Sequence, residues 1–148
     1  MFEEIRLEGN FTLSSGKRSN YYYAFETLTP TEVKSYSYKL SSLLTEKFPK
    51  IDYIATPAYG GIPIAFCVAL DFCRPLVVVE KRYNAIRGPK TKGPYIIVDD
   101  VISTYDEIRR VEKTIGYPPL AVAAFIFRGS SEAKEWPTIY LEKKEEEL

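Results

Sequence analysis

Residues 95–116 read YIIVDDVISTYDEIRRVEKTIG, and the fold turns on how this stretch is read. Tyr95 to Val98 is apolar at every position, whereas a strand open to water on one side would alternate, so this strand is expected to be covered on both faces. Asp99 and Asp100 follow the run, Ser103 and Thr104 come next, and Ile108, Val111 and Ile115 then recur at helical spacing. A strand, a polar loop and an amphipathic helix are expected in that order. Outward from here the same rhythm continues through IDYIATPA, IPIAFCVALDF, PLVVVEKR, LAVAAFIFRG and TIYLEKK. It predicts an α/β fold, a mainly parallel sheet flanked by helices.

Upstream, IRLEGNFTLSSGKRSNYYYAF (5–25) sets two short β-prone runs around the turn-rich SSGKRSN, which predicts a hairpin standing as a hood in front of the sheet. TPTEVKSYSYKLSSLLTEKF (29–48) has Thr29 as N-cap, Pro30 at the first helical position and Glu32 to complete a capping box. Val33, Tyr36, Leu40, Leu43, Leu44 and Phe48 are expected near one face of that helix. One domain is expected over residues 1–148, with a hood at 1–28, an α/β core at 29–144 and a charged tail at 145–148.

Lys and Arg number 20 and so do Asp and Glu, so no overall field draws nucleic acid or an acidic membrane, and any anion site has to be local. There is no histidine, which leaves proton transfer to Asp, Glu, Lys or Tyr and denies a zinc site its usual ligands. Cys67 and Cys73 lie in an apolar stretch and are expected to pack in the core as thiols. No apolar run approaches the roughly 20 residues needed to cross a bilayer. The acidic N-terminus is unlike a signal peptide, so a cytoplasmic place is expected. Abundant Lys and Glu, with no Gln and Asn only at positions 10, 20 and 84, match the bias of proteins from hot environments.

In parallel sheets ligands bind beyond the carboxyl ends of strands, which singles out TPAYGGIPIA (56–65), EKRYNAIRGPKTKG (80–93) and DDVISTYDE (99–107). Each has two readings on its residues alone. Asp99 and Asp100 either cap a turn or grip a hydroxylated ligand. Asp106 and Glu107 suit the first turn of a helix, with Asp106 pairing to Arg110. Tyr21, Tyr22 and Tyr23 either line a pocket or pack a hairpin. Lys81 and Arg82 are either phosphate ligands or ordinary charges at a strand end.

FTLSSGKRSNYYYAF, PAYGGIPIA, VVVEKR and IIVDDVIST stand in the same order as similar motifs of the orotate phosphoribosyltransferases. Over most of residues 9–110 the chain resembles this branch of the type I phosphoribosyltransferase family. The resemblance implies that family's fold, a twisted, mainly parallel sheet with a small N-terminal hood or hairpin, in a homodimer. It also implies transfer of ribose 5-phosphate from phosphoribosyl pyrophosphate (PRPP) to orotate, with Mg2+ bound through PRPP and no direct protein ligand. Asp99 and Asp100 would hold the ribose hydroxyls, and Ser103 and Thr104 would lie in the loop around the 5-phosphate. Ala58, Tyr59, Gly60 and Gly61 would face pyrophosphate. Lys81 and Arg82 would open a mobile loop whose further cations are Arg87, Lys90 and Lys92, and Lys17, Arg18, Tyr22 and Tyr23 would belong to the hood over the base.

Four positions depart from the family pattern. Ser14 stands where a flap lysine is usual, Gly60 where a lysine follows PAY, and residues 83–94 form a shorter loop without the catalytic histidine. Tyr105, Asp106 and Glu107 replace the small residues and glycine that let backbone approach a phosphate. The expectation is therefore a member with impaired or lost catalysis, serving a binding, regulatory or assembly role with a protein or nucleotide partner. The alternative is an active orotate phosphoribosyltransferase in which Lys17, Arg18, Arg87, Lys90 or Lys92 supplies the displaced charge. A nucleic-acid-binding regulator would need a basic face that the balanced charge does not advertise.

Overall fold

The structure, a computed structural model, describes residues 1–12, 16, 18–129 and 135–144. Ser14, Lys17 and the tail 145–148, all named in the sequence reading, lie outside the described residues. The hood is an antiparallel pair, β1 (Arg6–Thr12) and β2 (Arg18–Tyr23), as the turn-rich segment between them predicts. In β2, Tyr21 and Tyr23 point into the protein and Tyr22 lies on the other side, half-exposed, following the two-residue period of a strand.

Helix α1 (Pro30–Lys47) starts at the expected capping box. Thr29 Oγ1 accepts the Glu32 N–H at 3.1 Å, and Glu32 Oε1 accepts the Thr29 N–H at 3.0 Å. Leu40 and Leu44 are fully buried, but Leu43 is turned outward. The buried stripe takes Ser37 and Ser41 instead, and Ser41 Oγ donates to Asp71 Oδ2 at 2.8 Å across to the next helix. A hydroxyl with an internal partner is thus tolerated at the interface, where the spacing of apolar residues alone favours Leu43.

The core follows as β3 (Tyr53–Pro57), α2 (Ile62–Phe72), β4 (Leu76–Glu80), β5 (Ala85–Arg87), β6 (Tyr95–Ile102), α3 (Asp106–Ile115), β7 (Ala121–Phe127) and β8 (Thr138–Lys143). The sheet order is β5-β4-β3-β6-β7-β8, parallel throughout except for the short edge strand β5. Both faces are covered, which explains the unbroken apolar run of β6. Ile96 and Val98 pack with α1, α2 and the inner tyrosines of the hood, while Tyr95 and Ile97 pack on the other side with Ile108 and Val111 of α3. Cys67 is half-buried, but Cys73 is exposed, contrary to the core placement expected for both. It caps α2 with a left-handed backbone, φ 52°, and the turn that ends the helix carries its side chain to the surface.

Sequence order along the sheet reverses between β3 and β6. In open parallel sheets a ligand crevice lies beyond the carboxyl ends of such a strand pair. Among the described residues no helix is long and apolar enough to cross a membrane.

Candidate active site

A cavity of about 320 Å3 opens at that reversal. Its wall joins Pro57 to Gly60 after β3, Asp99 to Ile108 from β6 into α3, Thr12, Tyr22 and Tyr23 of the hood, and Arg128. The structure therefore brings together Asp99, Asp100, Ser103, Thr104, Ala58, Tyr59, Gly60, Tyr22 and Tyr23 from the sequence reading.

The two aspartates are held by their own strand. Asp99 Oδ1 accepts the Asp100 N–H at 2.8 Å and Asp100 Oδ1 accepts the Val101 N–H at 2.7 Å. Burial pushes the Asp99 carboxyl well above the usual carboxylate range, and the neighbouring Asp100 charge adds to it. Asp100 is also raised by burial, with hydrogen bonds from Asp99 and from the Val101 and Asp100 backbone opposing the shift. Such a pair favours ligands that donate hydrogen bonds or bring positive charge.

Gly60 and Gly61 are explained by contact with that pair. A Cβ on Gly61 would lie 2.6 Å from Thr56 Oγ1 and 2.7 Å from Asp99 Oδ1, and one on Gly60 would lie 2.8 Å from Asp100 Oδ2. Gly61 closes the loop over Asp99. Gly60, besides lacking the family's lysine charge, leaves Asp100 its position.

The loop after β6 departs from the sequence reading, which denied it both small side chains and unusual dihedrals. Tyr105 itself takes the left-handed conformation, φ 65° and ψ 4°, immediately before α3. Its ring is turned into the core, with centroids 5.4 Å from Trp136 and 6.0 Å from Phe127, and its hydroxyl shares a 2.7 Å hydrogen bond with Thr138 Oγ1. Burial of the ring supplies the stabilisation that offsets a backbone normally left to glycine, roughly 1–2 kcal/mol against an L-residue. The acids are also disposed differently than expected. Asp106 is exposed and pairs with Arg109 at 2.8 Å, not with Arg110. Glu107 pairs with Arg110 at 2.6 Å and lies 3.7 Å from Lys81. Both acids pair three residues along the helix, the alternative neighbour on the same face. The N-terminus of a ten-residue helix thus faces the cavity, with Glu107 at its wall.

The loop cations do not line the cavity. Residues 85–87 pair with β4, so the segment expected to be a mobile loop returns along the sheet edge as a hairpin. Arg87 Nε donates to Glu80 Oε2 at 2.9 Å, Tyr59 donates to the other oxygen at 3.3 Å, and Arg82 lies over Tyr83. Lys90 and Lys92 are exposed on the segment leading to the start of β6, the end of the strand away from Asp99. Arg18 is exposed on the hairpin and outside the cavity wall.

Arg128 is the residue that sequence reasoning missed. It follows β7 directly, its N–H donates to the Ile102 carbonyl at 2.8 Å, and only 3% of it is exposed. Nη2 donates to Ser19 Oγ at 2.9 Å, the guanidinium lies 4.2 Å from the Tyr21 ring centroid, and Nε is buried with no hydrogen-bond partner among the described residues. Arg128 borders the cavity, so a fixed cationic fork of donors stands at its wall. The signal in the sequence was a lone cation directly after the apolar run AVAAFIF.

No protein-family model matches the chain. An orotate phosphoribosyltransferase of Thermococcus kodakarensis is 31% identical over 133 residues, covering 84% of this chain and 72% of the relative. One from Pyrococcus furiosus is 30% identical over 122 residues, covering 76% of this chain and 67% of the relative. The crystal structure of orotate phosphoribosyltransferase from Aeropyrum pernix superposes with a TM-score of 0.78 at 25% identity, covering 95% of this chain and 89% of that one. Identity over most of both chains, a shared fold and an acid pair set beside a helix N-terminus agree, and the chain belongs to the orotate phosphoribosyltransferase family.

Proposed function

We propose that this protein is an active orotate phosphoribosyltransferase, transferring ribose 5-phosphate from PRPP to orotate and releasing pyrophosphate. The observation that carries this reading is a single cavity whose wall joins the acid pair, the N-terminal residues of α3 and the buried Arg128. In this reading Asp99 and Asp100 accept hydrogen bonds from the ribose hydroxyls. The N–H groups around Ser103 to Asp106 receive the 5-phosphate at the positive end of the helix. Arg128 takes the carboxylate of orotate, which uracil lacks, and Tyr22 walls the ring.

Breaking the bond from ribose to pyrophosphate leaves the sugar electron-poor and the departing phosphates electron-rich. The carboxylates of Asp99 and Asp100 and the hydroxyls of Ser103 and Thr104 in the lining suit Mg2+, which keeps water and substrate oxygens around it, and Ala58 to Gly60 are the lining residues that would face it. Bound with PRPP, it supplies positive charge to the leaving group. The chain contributes orientation, fixed dipoles and exclusion of water. We further propose a homodimer, on the exposed apolar pair Phe66 and Leu70 of α2, and a cytoplasmic place for the single hooded domain.

Glu107 favours a second reading, in which the fold and ligand sites persist but turnover is impaired, because its carboxylate stands at the cavity wall near the phosphate loop. Incubation of the purified protein with Mg2+, PRPP and orotate, following pyrophosphate release, separates the two. The active reading expects turnover that Asp100→Asn reduces about 100-fold or more, the scale of losing an oriented polar contact at the reacting centre. Binding of PRPP by calorimetry without turnover supports the impaired reading, and failure of both binding and turnover removes the proposal.

A further inference from the structure

Arg128 is held by the hood from two directions. Ser19 Oγ accepts from its Nη2 at 2.9 Å and also accepts the Tyr21 N–H at 3.2 Å, so the hydroxyl is tied to the strand that presents it. The Tyr21 ring lies 4.2 Å from the Arg128 guanidinium and 4.6 Å from that of Arg6, which pairs in turn with Glu8 at 2.6 Å. Ser19, Tyr21 and Arg128 are 9%, 3% and 3% exposed. A guanidinium is a flat fork of donors, so one hydrogen bond and one ring contact together define its plane. Arg128 also borders the cavity, so the residue that the hood orients is one that a ligand there can meet.

We infer that Ser19 and Tyr21 are positioning residues for recognition of an anionic base: they fix the plane of Arg128, which borders the cavity, so that its guanidinium is aimed for a carboxylate on the ring held there. The inference rests on the proposed function, since it presumes that the base end of the cavity is at Arg128. It assigns to the inward face of β2 the task of choosing the base, whereas the outward Tyr22 only walls it. Orienting the guanidinium in advance spares the ligand the cost of ordering a long side chain.

The test compares binding of orotidine 5′-monophosphate with uridine 5′-monophosphate, which lacks the carboxylate. Neither turns over without pyrophosphate, so calorimetry reads affinity alone. The parent should prefer the carboxylated nucleotide. Ser19→Ala and Tyr21→Leu should reduce that preference about tenfold, the effect of a misdirected charged hydrogen bond, and leave affinity for uridine 5′-monophosphate within about twofold. Ser19→Thr and Tyr21→Phe, which keep the hydroxyl and the ring, should retain it.

Arg128→Ala tells the two levels apart. If the parent shows no preference, or Arg128→Ala keeps it, the base reading and this inference fall together. If Arg128→Ala loses the preference while Ser19→Ala keeps it, only the positioning inference falls. Should Tyr21→Leu not fold, Ser19→Ala decides, since it removes a single hydroxyl. Equal losses for both nucleotides in Ser19→Ala would show a structural tie and overturn the inference.

Discussion

Asp99 shows how a residue proposed to bind ligand can be a liability to the fold that carries it. Burial raises its carboxyl and that of Asp100 above the ordinary carboxylate range. From about pH 4, the ordinary value, up to those raised values, the folded chain holds more protons than the unfolded one. Stability therefore falls as pH rises through that window. Asp99→Asn removes the charge and keeps the shape, so thermal melts should show it more stable than the parent at neutral pH, with the gain shrinking as pH falls toward 4. A gain of about 1 kcal/mol would move the melting point by roughly 2–4 °C at this chain length. A variant less stable than the parent at neutral pH would refute the sign. The acid pair itself was legible in the sequence, because two aspartates directly after a wholly apolar run have few places to go but the carboxyl end of a strand. Arg128 was not: a lone cation after an apolar run is a weak signal, shared with ordinary strand ends, and its meaning appears only when β7 is set beside β6.

At the level of the element, α3 and the turn before it carry the proposed phosphate site. Glu107→Gln removes a negative charge from the cavity wall while keeping the side chain's size. Two like charges about 5 Å apart at an effective dielectric of 20 repel by roughly 3 kcal/mol, so even partial relief should lower the KM for PRPP about tenfold. Steady-state kinetics would check this, and a raised KM would mean that Glu107 serves mainly to orient Lys81 and Arg110. Tyr105 is tested through stability: Tyr105→Phe should cost about 1 kcal/mol for the bond to Thr138, and Tyr105→Ala about 3–5 kcal/mol for the emptied core, both read by denaturant unfolding. The helix and its buried Ile108 and Val111 were legible from periodicity. The left-handed Tyr105 was not, since local preference argues for glycine there and only burial of the ring between Trp136 and Phe127 reverses it.

For the whole molecule, the layer plan could be read from the unbroken apolar strands, and the hood from its turn-rich centre. The return of residues 85–87 along the sheet edge could not, because three residues of β5 carry too little pattern to be distinguished from loop. Phe66 and Leu70, one turn apart on α2 and 59% and 64% exposed, form the apolar surface on which the homodimer proposal stands. The double variant Phe66→Glu with Leu70→Glu should halve the mass measured by light scattering, and an unchanged dimer mass would place the contact elsewhere. The central place of β6, paired with β3 on one side and β7 on the other, has a further consequence for native-state hydrogen exchange. Amides of Ile96 to Val98 should exchange only through unfolding of the whole chain, while those of the two-stranded hood should open many times more often. The sugar-gripping end would then be anchored in the slowest-opening part of the protein and the base-facing end in one of the fastest, so that the lifetime of a bound base is governed by excursions of the hood that leave the ribose grip intact.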